Sequence, residues 1–515
     1  MQPEKKTELS RRGLLKLAAL GGSGFVMARG LSACADDGAD LDSDEDALSQ
    51  RPLFVGGLTT SLREELRYGA QVRGRLPREL RGTLYKNGPG LFERGGVRKR
   101  TLLDGDGLIT AYRFEGGRVE FQNRFVRTDK FVEEEAAGRF LYNTWTTSLP
   151  DPRPRGADQA GVTVWPWADR LYAFDEGNPP WELAPRDLGT VGLATFGLPR
   201  EQATVFAHGK QLAGRDEFSL FGIEYGSLQY NYLVLDRQHR VIDRRSMPMT
   251  DYGPPSYAHD WFVTPKYFVV HVMPALIDGE AASKGAVLRD ALRWHGELPS
   301  RMLVFRRDTV APPQVFELEA AWMWHSANAF ERGDELVLDW IGYDDPYHFV
   351  GQGAEWETVM NGQLTQSGAP GVLRRTVLDL RTGRARSERF AELEDQEFPV
   401  ISSNLAGLPS RYVYLLHEPG SGPLYQAVAK VDLESGERDS FDFGAGKLAL
   451  EPVFVPHPRG RDEDDGFLLV ETANANTGRT ELHVLDARCL ADGPLATVKL
   501  RQHVPMRFHG RWESR

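Results

Sequence analysis

Cysteine is nearly missing from this chain: 515 residues contain two, Cys34 and Cys489. That excludes a disulfide framework and any zinc site built from paired thiolates. There is no glycine-rich phosphate loop, no zinc-protease helix motif and no marked nucleophile elbow. Positive charge is in deficit, with 62 Lys and Arg against 73 Asp and Glu for a net charge of −11, which argues against a nucleic-acid partner. The apolar stretch from Leu14 to Met27 is interrupted by Lys16 and three glycines. It falls short of the ~20 apolar residues that a spanning helix needs.

The first fifty residues read as processing signals. Ser10-Arg11-Arg12-Gly13-Leu14-Leu15-Lys16 has the form of a twin-arginine export signal. Leu31-Ser32-Ala33-Cys34 resembles a lipobox, so cleavage before Cys34 leaves its thiol as the lipid attachment point. Lipidation there would also remove any intramolecular disulfide. Residues 1–33 are therefore expected to be a signal peptide. Residues 34–50 carry seven acidic and no basic side chains and form a solvated tether. Without residues 1–33 the net charge is −15, and without the tether as well it is −8. The expected location is periplasmic and membrane-anchored.

From Pro52 onward, short β-branched and aromatic runs alternate with turn signals, as in Tyr267–Val272, Glu335–Trp340 and Tyr412–Leu416. Val377-Leu-Asp-Leu-Arg-Thr-Gly383 and Val431-Asp-Leu-Glu-Ser-Gly436 repeat one phrase: apolar strand, aspartate, glycine turn. The spacing is like that of propeller blades. One segment departs from it. Ala281–Leu298 places Val287, Leu288, Ala291, Leu292 and Trp294 at roughly helical spacing beside Lys284, Arg289 and Arg293. A surface helix is expected there, with membrane contact as the sharper alternative.

Four of the twelve histidines stand out: His208 in Ala-His-Gly-Lys, His259 in Ser-Tyr-Ala-His-Asp, His325 in Met-Trp-His-Ser, and His509 in Arg-Phe-His-Gly-Arg-Trp. Their separations exclude a local finger, so only a closed architecture brings them together. An all-imidazole site suits Fe, Zn, Cu or Ni.

Several motifs run in order along the chain: Leu84-Tyr-Lys-Asn-Gly-Pro-Gly90, Asp104-Gly-Asp-Gly-Leu-Ile109, Asn123-Arg-Phe-Val-Arg-Thr128, Glu451-Pro-Val-Phe-Val-Pro456 and Val504-Pro-Met-Arg-Phe-His-Gly-Arg-Trp512. With the four histidines, they make the chain resemble the carotenoid cleavage oxygenase family from about Phe54 to Trp512. The resemblance implies an all-β, seven-bladed propeller over residues 51–515, with a helical and loop cap over an axial Fe(2+). It implies that His208, His259, His325 and His509 are the ligands. It places Glu176 behind His259, Glu397 behind His325 and Glu451 behind His509, and leaves His208 without a glutamate. It further implies a dioxygenase that cleaves a conjugated C=C bond of an apolar polyene, a carotenoid or apocarotenoid, with O2 to give two carbonyl products. Stilbene cleavage and retinoid-type isomerisation are the alternatives on the same iron centre. The stilbene branch is similar in having a lysine where Lys130 stands, but this chain has Arg98-Lys99-Arg100-Thr101 where that branch has a tyrosine. A non-enzymatic propeller binding an apolar ligand is the alternative of a different class. His457 and His503 lie in matching segments but read as structural, as do the remaining histidines, His348 among them.

Overall fold

The computed structural model describes residues 57–154, 158–351, 354–362, 368–390, 393, 395–418 and 424–515. The signal peptide, the acidic tether and Cys34 lie outside the described residues.

Seven antiparallel sheets follow one another as the blades of a propeller. Blade one holds Arg67–Gly69, Gly82–Asn87, Asp106–Glu115, Arg118–Phe125 and His509–Ser514. Blade two is Thr163–Trp167 to Thr190–Leu193, blade three Glu217–Glu224 to Val241–Pro248, and blade four Trp261–Val263 to Gln314–Leu318. Blade five runs from Trp322–Arg332 to Arg384–Phe390, and blade six from Gln396–Val400 to Arg438–Asp442. Blade seven joins Lys447–Ala449, Val453–Pro456, Gly466–Asn474, Arg479–Asp486 and Pro494–Lys499 to the early strand Gln71–Gly74.

Burial follows position within each blade. Inner strands are covered on both faces: every residue of Gly82–Asn87 and Gly466–Asn474 is buried. Outer strands alternate, as Val241–Pro248 does, because one face meets water and side chains flip with period two. The repeated aspartate–glycine phrase turns the outer hairpins of blades five and six. Asp379 Oδ1 accepts from the backbone N–H of Arg381 and Thr382, each at 2.9 Å, and Asp432 Oδ1 accepts from Glu434 N–H at 2.9 Å. Each carboxylate thus stands in for a backbone acceptor at the turn.

The ring closes twice. His509–Ser514 pairs with Gly82–Asn87, setting His509 opposite Asn87, and Gln71–Gly74 pairs with Pro494–Lys499. The family-like motifs lock this seam. A Cβ on Gly88 would meet the Met506 carbonyl at 2.3 Å, so only glycine fits there. Arg507, fully buried, donates to the carbonyls of Leu108 (2.5 Å) and Pro89 (2.9 Å).

The helix expected over 281–298 does not form as one element. Gly279–Ser283 and Leu288–Ala291 are separate short helices, and Leu292–Trp294 is a strand paired with Ala275–Ile277. Gly285, at φ +87, breaks the helical run. Val287, Ala291 and Leu292 are buried, so the apolar stripe packs inward and Leu298 is the large apolar side chain left exposed. Among the described residues no helix is long and apolar enough to cross a membrane.

Candidate metal centre

Each blade sends one residue of the predicted set towards the axis. His208 precedes blade three, where Phe206 and Lys210 bond backbone to backbone with Phe221 and Ser219. His259 precedes the inner strand Trp261–Val263 of blade four, His325 lies within Trp322–Arg332 of blade five, and His509 opens the closing strand of blade one. Glu176 follows Arg170–Phe174 of blade two, Glu397 lies in Gln396–Val400 of blade six, and Glu451 precedes Val453–Pro456 of blade seven. One ring nitrogen from each of the four histidines lies within 4.8 Å of the other three. His208 Nε2 and His259 Nε2 are 3.0 Å apart, and His325 Nε2 and His509 Nε2 are 3.1 Å apart.

Nitrogens that close need a cation between them or a shared proton. Charge on the rings is opposed. Burial, then the neighbouring rings, holds His208 well below the ordinary histidine value, and burial pushes His509 down to about 4 despite Glu451. His325 is the exception: burial opposes its charge, but Glu397 outweighs burial and raises it. Neutral imidazoles, each with one nitrogen free to donate electrons, are what a metal requires.

The far nitrogens are held by carboxylates. His325 Nδ1 lies 2.5 Å from Glu397 Oε2, and His509 Nδ1 lies 2.8 Å from Glu451 Oε1. Glu451 Oε2 also accepts from Gly510 N–H at 2.7 Å, which fixes the carboxylate plane. His259 differs. Its Nδ1 is 3.2 Å from Glu176 Oε1 and 3.1 Å from the Tyr257 hydroxyl, and the Glu176 contact lacks hydrogen-bond angles. Tyr257 therefore shares the orienting role, and the sequence reading missed it; its place two residues before His259 was the available signal. No carboxylate contact is seen for His208 among the described residues. The donor set fits one metal ion: four imidazoles converging, three of them backed by an acceptor.

Two cavities meet at this cluster. One, of about 1120 Å³, is lined by His208, His325 and His509 together with Arg78, Lys210, Asn328 and Arg511. The other, of about 90 Å³, is lined by His259, His325 and His509 with Trp324, Trp356, Phe398 and Phe508. Ligand pockets usually hold roughly 300–1,000 Å³, so a long molecule enters this second cavity only as its walls part. Phe398 is placed there by local strain. Its φ is +54°, and the pairing of its strand slips between Glu397 and Val400. This bulge lets consecutive residues face one site. Glu397 reaches His325 Nδ1, while the Phe398 ring stacks on His325 at 5.0 Å and 26°. Neither the bulge nor the aromatic wall was anticipated from sequence.

Lys130 is elsewhere. It sits on the helix Asp129–Ala137, buried between Asp106 (2.6 Å) and Glu134 (2.9 Å). It does not line the aromatic cavity. His457 lines the polar channel, and His503 Nε2 lies 3.3 Å from the Thr60 carbonyl, so neither joins the cluster.

A propeller that gathers histidines from four blades at one axial point defines a class: propellers with an all-histidine cluster able to hold a metal ion. The comparisons with known proteins name the family. The retinal pigment epithelial membrane protein family model matches residues 59–514. Apocarotenoid-15,15'-oxygenase of Synechocystis is 33% identical over 471 residues, covering 86% of this chain and 92% of that one. Isoeugenol monooxygenase of Pseudomonas putida is 27% identical over 486 residues, covering 90% and 98%. A solved variant of the Synechocystis apocarotenoid oxygenase superposes with a TM-score of 0.82 at 31% identity, covering 92% of this chain and 99% of that one. The chain belongs to the retinal pigment epithelial membrane protein family, the carotenoid oxygenases.

Proposed function

We propose that this protein is a non-haem Fe(2+) dioxygenase that cleaves a conjugated C=C bond of a carotenoid or apocarotenoid. The balance is simple: the C=C and O–O bonds break, two C=O bonds form, and no proton is gained or lost. Fe(2+), when bound, supplies the electronic coupling by which O2 reacts with a closed-shell alkene. His208, His259, His325 and His509 would hold it, imidazole being a ligand that suits iron. Glu397, Glu451 and the Glu176–Tyr257 pair keep three rings oriented and offset the ion's charge. Trp324, Phe398 and Phe508 hold the double bond by apolar contact and keep bulk water away. No side chain is asked to act as acid or base.

One observation carries this reading: His259, His325 and His509 border the aromatic cavity as well as the metal cluster, so an apolar substrate lies against the ion. The test is metal content of the purified protein with O2-dependent turnover of an apocarotenal, followed by mass spectrometry. About one iron per chain and two carbonyl products are expected. Intact folding without iron would sink the reading. The stilbene alternative loses its support from Lys130, whose ammonium is spent on Asp106 and Glu134.

We also propose export by the twin-arginine route and lipid attachment at Cys34. The support is Arg11-Arg12 and the Leu31–Cys34 lipobox. Membrane contact is assigned to that anchor and not to 281–298, where Val287, Ala291 and Leu292 are buried. Palmitate labelling that survives Cys34→Ala would overturn it.

A further inference from the structure

His348 lines the aromatic cavity, and its hydrogen bonding does not close. Trp324 Nε1–H donates to His348 Nε2 at 2.7 Å. An indole N–H is a donor only, so Nε2 carries no proton and the proton of the neutral ring is on Nδ1. That Nδ1–H is buried and meets no acceptor. Burial holds His348 down to about 3, so the ring is neutral at working pH. A buried donor left unpaired costs roughly 1–3 kcal/mol, and folded proteins keep few of them.

Two neighbouring polar groups on this wall are engaged, and Glu397 Oε1, a buried acceptor without a hydrogen bond, is not paired with His348. Asp395 Oδ1 accepts from Gly371 N–H at 2.9 Å, and the Tyr343 hydroxyl bonds with Tyr425. Trp324 packs against both His348 and the ligand His259, with ring centroids 6.0 and 4.8 Å away. His348 is thus one indole removed from the metal centre. A donor in a largely aromatic and apolar wall is how such pockets fix a ligand's orientation.

We infer that His348 is a specificity determinant whose Nδ1–H donates to an uncharged oxygen of the substrate, a carbonyl or a hydroxyl. It selects oxygenated polyenes over hydrocarbons of equal length. A carboxylate is disfavoured, because Asp395 and Glu397 line the same cavity and no cationic side chain there offers a countercharge after desolvation. The inference rests on the oxygenase reading for its turnover test, but not for its binding test.

The experiment compares wild type, His348→Phe and His348→Asn on three polyenes of matched length: an apocarotenal, a ring-hydroxylated polyene and a hydrocarbon. Wild type is expected to favour an oxygenated probe in kcat/KM by about 10- to 100-fold, the range of one unpaired donor. His348→Phe should bring that ratio to within about twofold of unity while hydrocarbon turnover persists. His348→Asn, which keeps an N–H at the Nδ1 position, should restore part of the preference. Whichever oxygenated probe loses its advantage identifies the oxygen. An unchanged ratio in His348→Phe, or an equal loss on all three probes, overturns the inference. Dissociation constants from quenching of tryptophan fluorescence are read in parallel. If no probe is cleaved yet His348→Phe still loses the binding preference, the subsite stands and the oxygenase reading falls; an unaltered binding preference overturns the subsite.

Discussion

The two sides of the histidine cluster differ in charge: cationic side chains stand on one side and none on the other. Towards the wide channel stand Arg78, Lys210, Asn328 and Arg511, with Lys210 paired to Asp260 at 2.7 Å and to Ser326 Oγ at 2.8 Å. Towards the narrow cavity stand Trp324, Trp356, Phe398 and Phe508, with Trp356 stacked on Trp324 at 4.9 Å and 16°. His325 and His509 border both. The difference teaches that the metal site is a boundary and not a pocket of its own. In the wide channel a polyene would meet apolar side chains such as Phe262 and Ile401 only by also stripping water from Arg78, Lys210 and Arg511. The narrow cavity is walled mainly by rings, with His348, Asp395 and Glu397 as its few polar members. Chemistry that joins an apolar chain to oxygen belongs at the boundary between them.

The comparison breaks outright if the shared element is removed. His325→Ala or His509→Ala should abolish both metal retention and turnover, since each takes away a ligand and leaves Glu397 or Glu451 buried opposite a void. Metal analysis beside a turnover assay checks this, and a variant that keeps both would leave the ligand set. The next largest effect lies one shell outward. Glu451→Gln keeps the shape but removes the charge that polarises His509, so metal affinity should fall about 10- to 100-fold. Competition with a chelator measures it. Glu176→Gln should cost less, because the Tyr257 hydroxyl also holds His259 Nδ1. Equal losses in the two variants would show that the tyrosine carries nothing.

How much of this boundary was legible in the sequence depended on which physical signal each part left. The four clustered histidines were legible because each sits in an unusual local phrase, such as Ala-His-Gly-Lys or Phe-His-Gly-Arg-Trp. The glutamates were legible through their neighbours, Glu397 by Phe-Pro and Glu451 by Pro-Val-Phe. The propeller showed itself in period-two runs and in the aspartate–glycine turns at Asp379 and Asp432. The aromatic wall was not legible, because its members come from several blades and the bulge at Phe398 reverses the alternation that a strand pattern assumes. His348 read as an ordinary core histidine; only its bond from Trp324 shows that a proton is left over. The 281–298 segment misled because its apolar spacing is real, yet Gly285 divides it and a strand uses its second half.

The two walls can be told apart with single substitutions. Trp356→Ala removes a stacked ring from the cavity and should lower kcat/KM for a polyene by about tenfold, with metal content unchanged. His457→Ala, on the channel wall, should change it less than about twofold. Steady-state kinetics on both variants decide the matter. A larger loss from His457→Ala would reverse the assignment of the walls.

The smallest effect at neutral pH belongs to a residue on neither wall, and it separates acid loss of metal from acid loss of fold. His271, in Tyr267–Val272 of blade four, is fully buried with both ring nitrogens unpartnered, edge-on to Trp340 at 5.0 Å. Burial, and then Arg374, hold it down to about 3. Between pH 6.5 and 3 the unfolded chain takes up a proton at this ring and the folded chain does not. Stability therefore rises with pH across that window, is complete above 6.5, and is lost as pH falls. At pH 5 the loss is about 2 kcal/mol from this ring alone, at 1.36 kcal/mol per pKa unit. His271→Leu should leave turnover at neutral pH unchanged and be less acid-sensitive by that amount, read as the difference in urea midpoint between pH 7.5 and pH 5. If the variant loses as much stability on acidification as wild type, the acid sensitivity resides at the metal centre, and the boundary fails before the blades do.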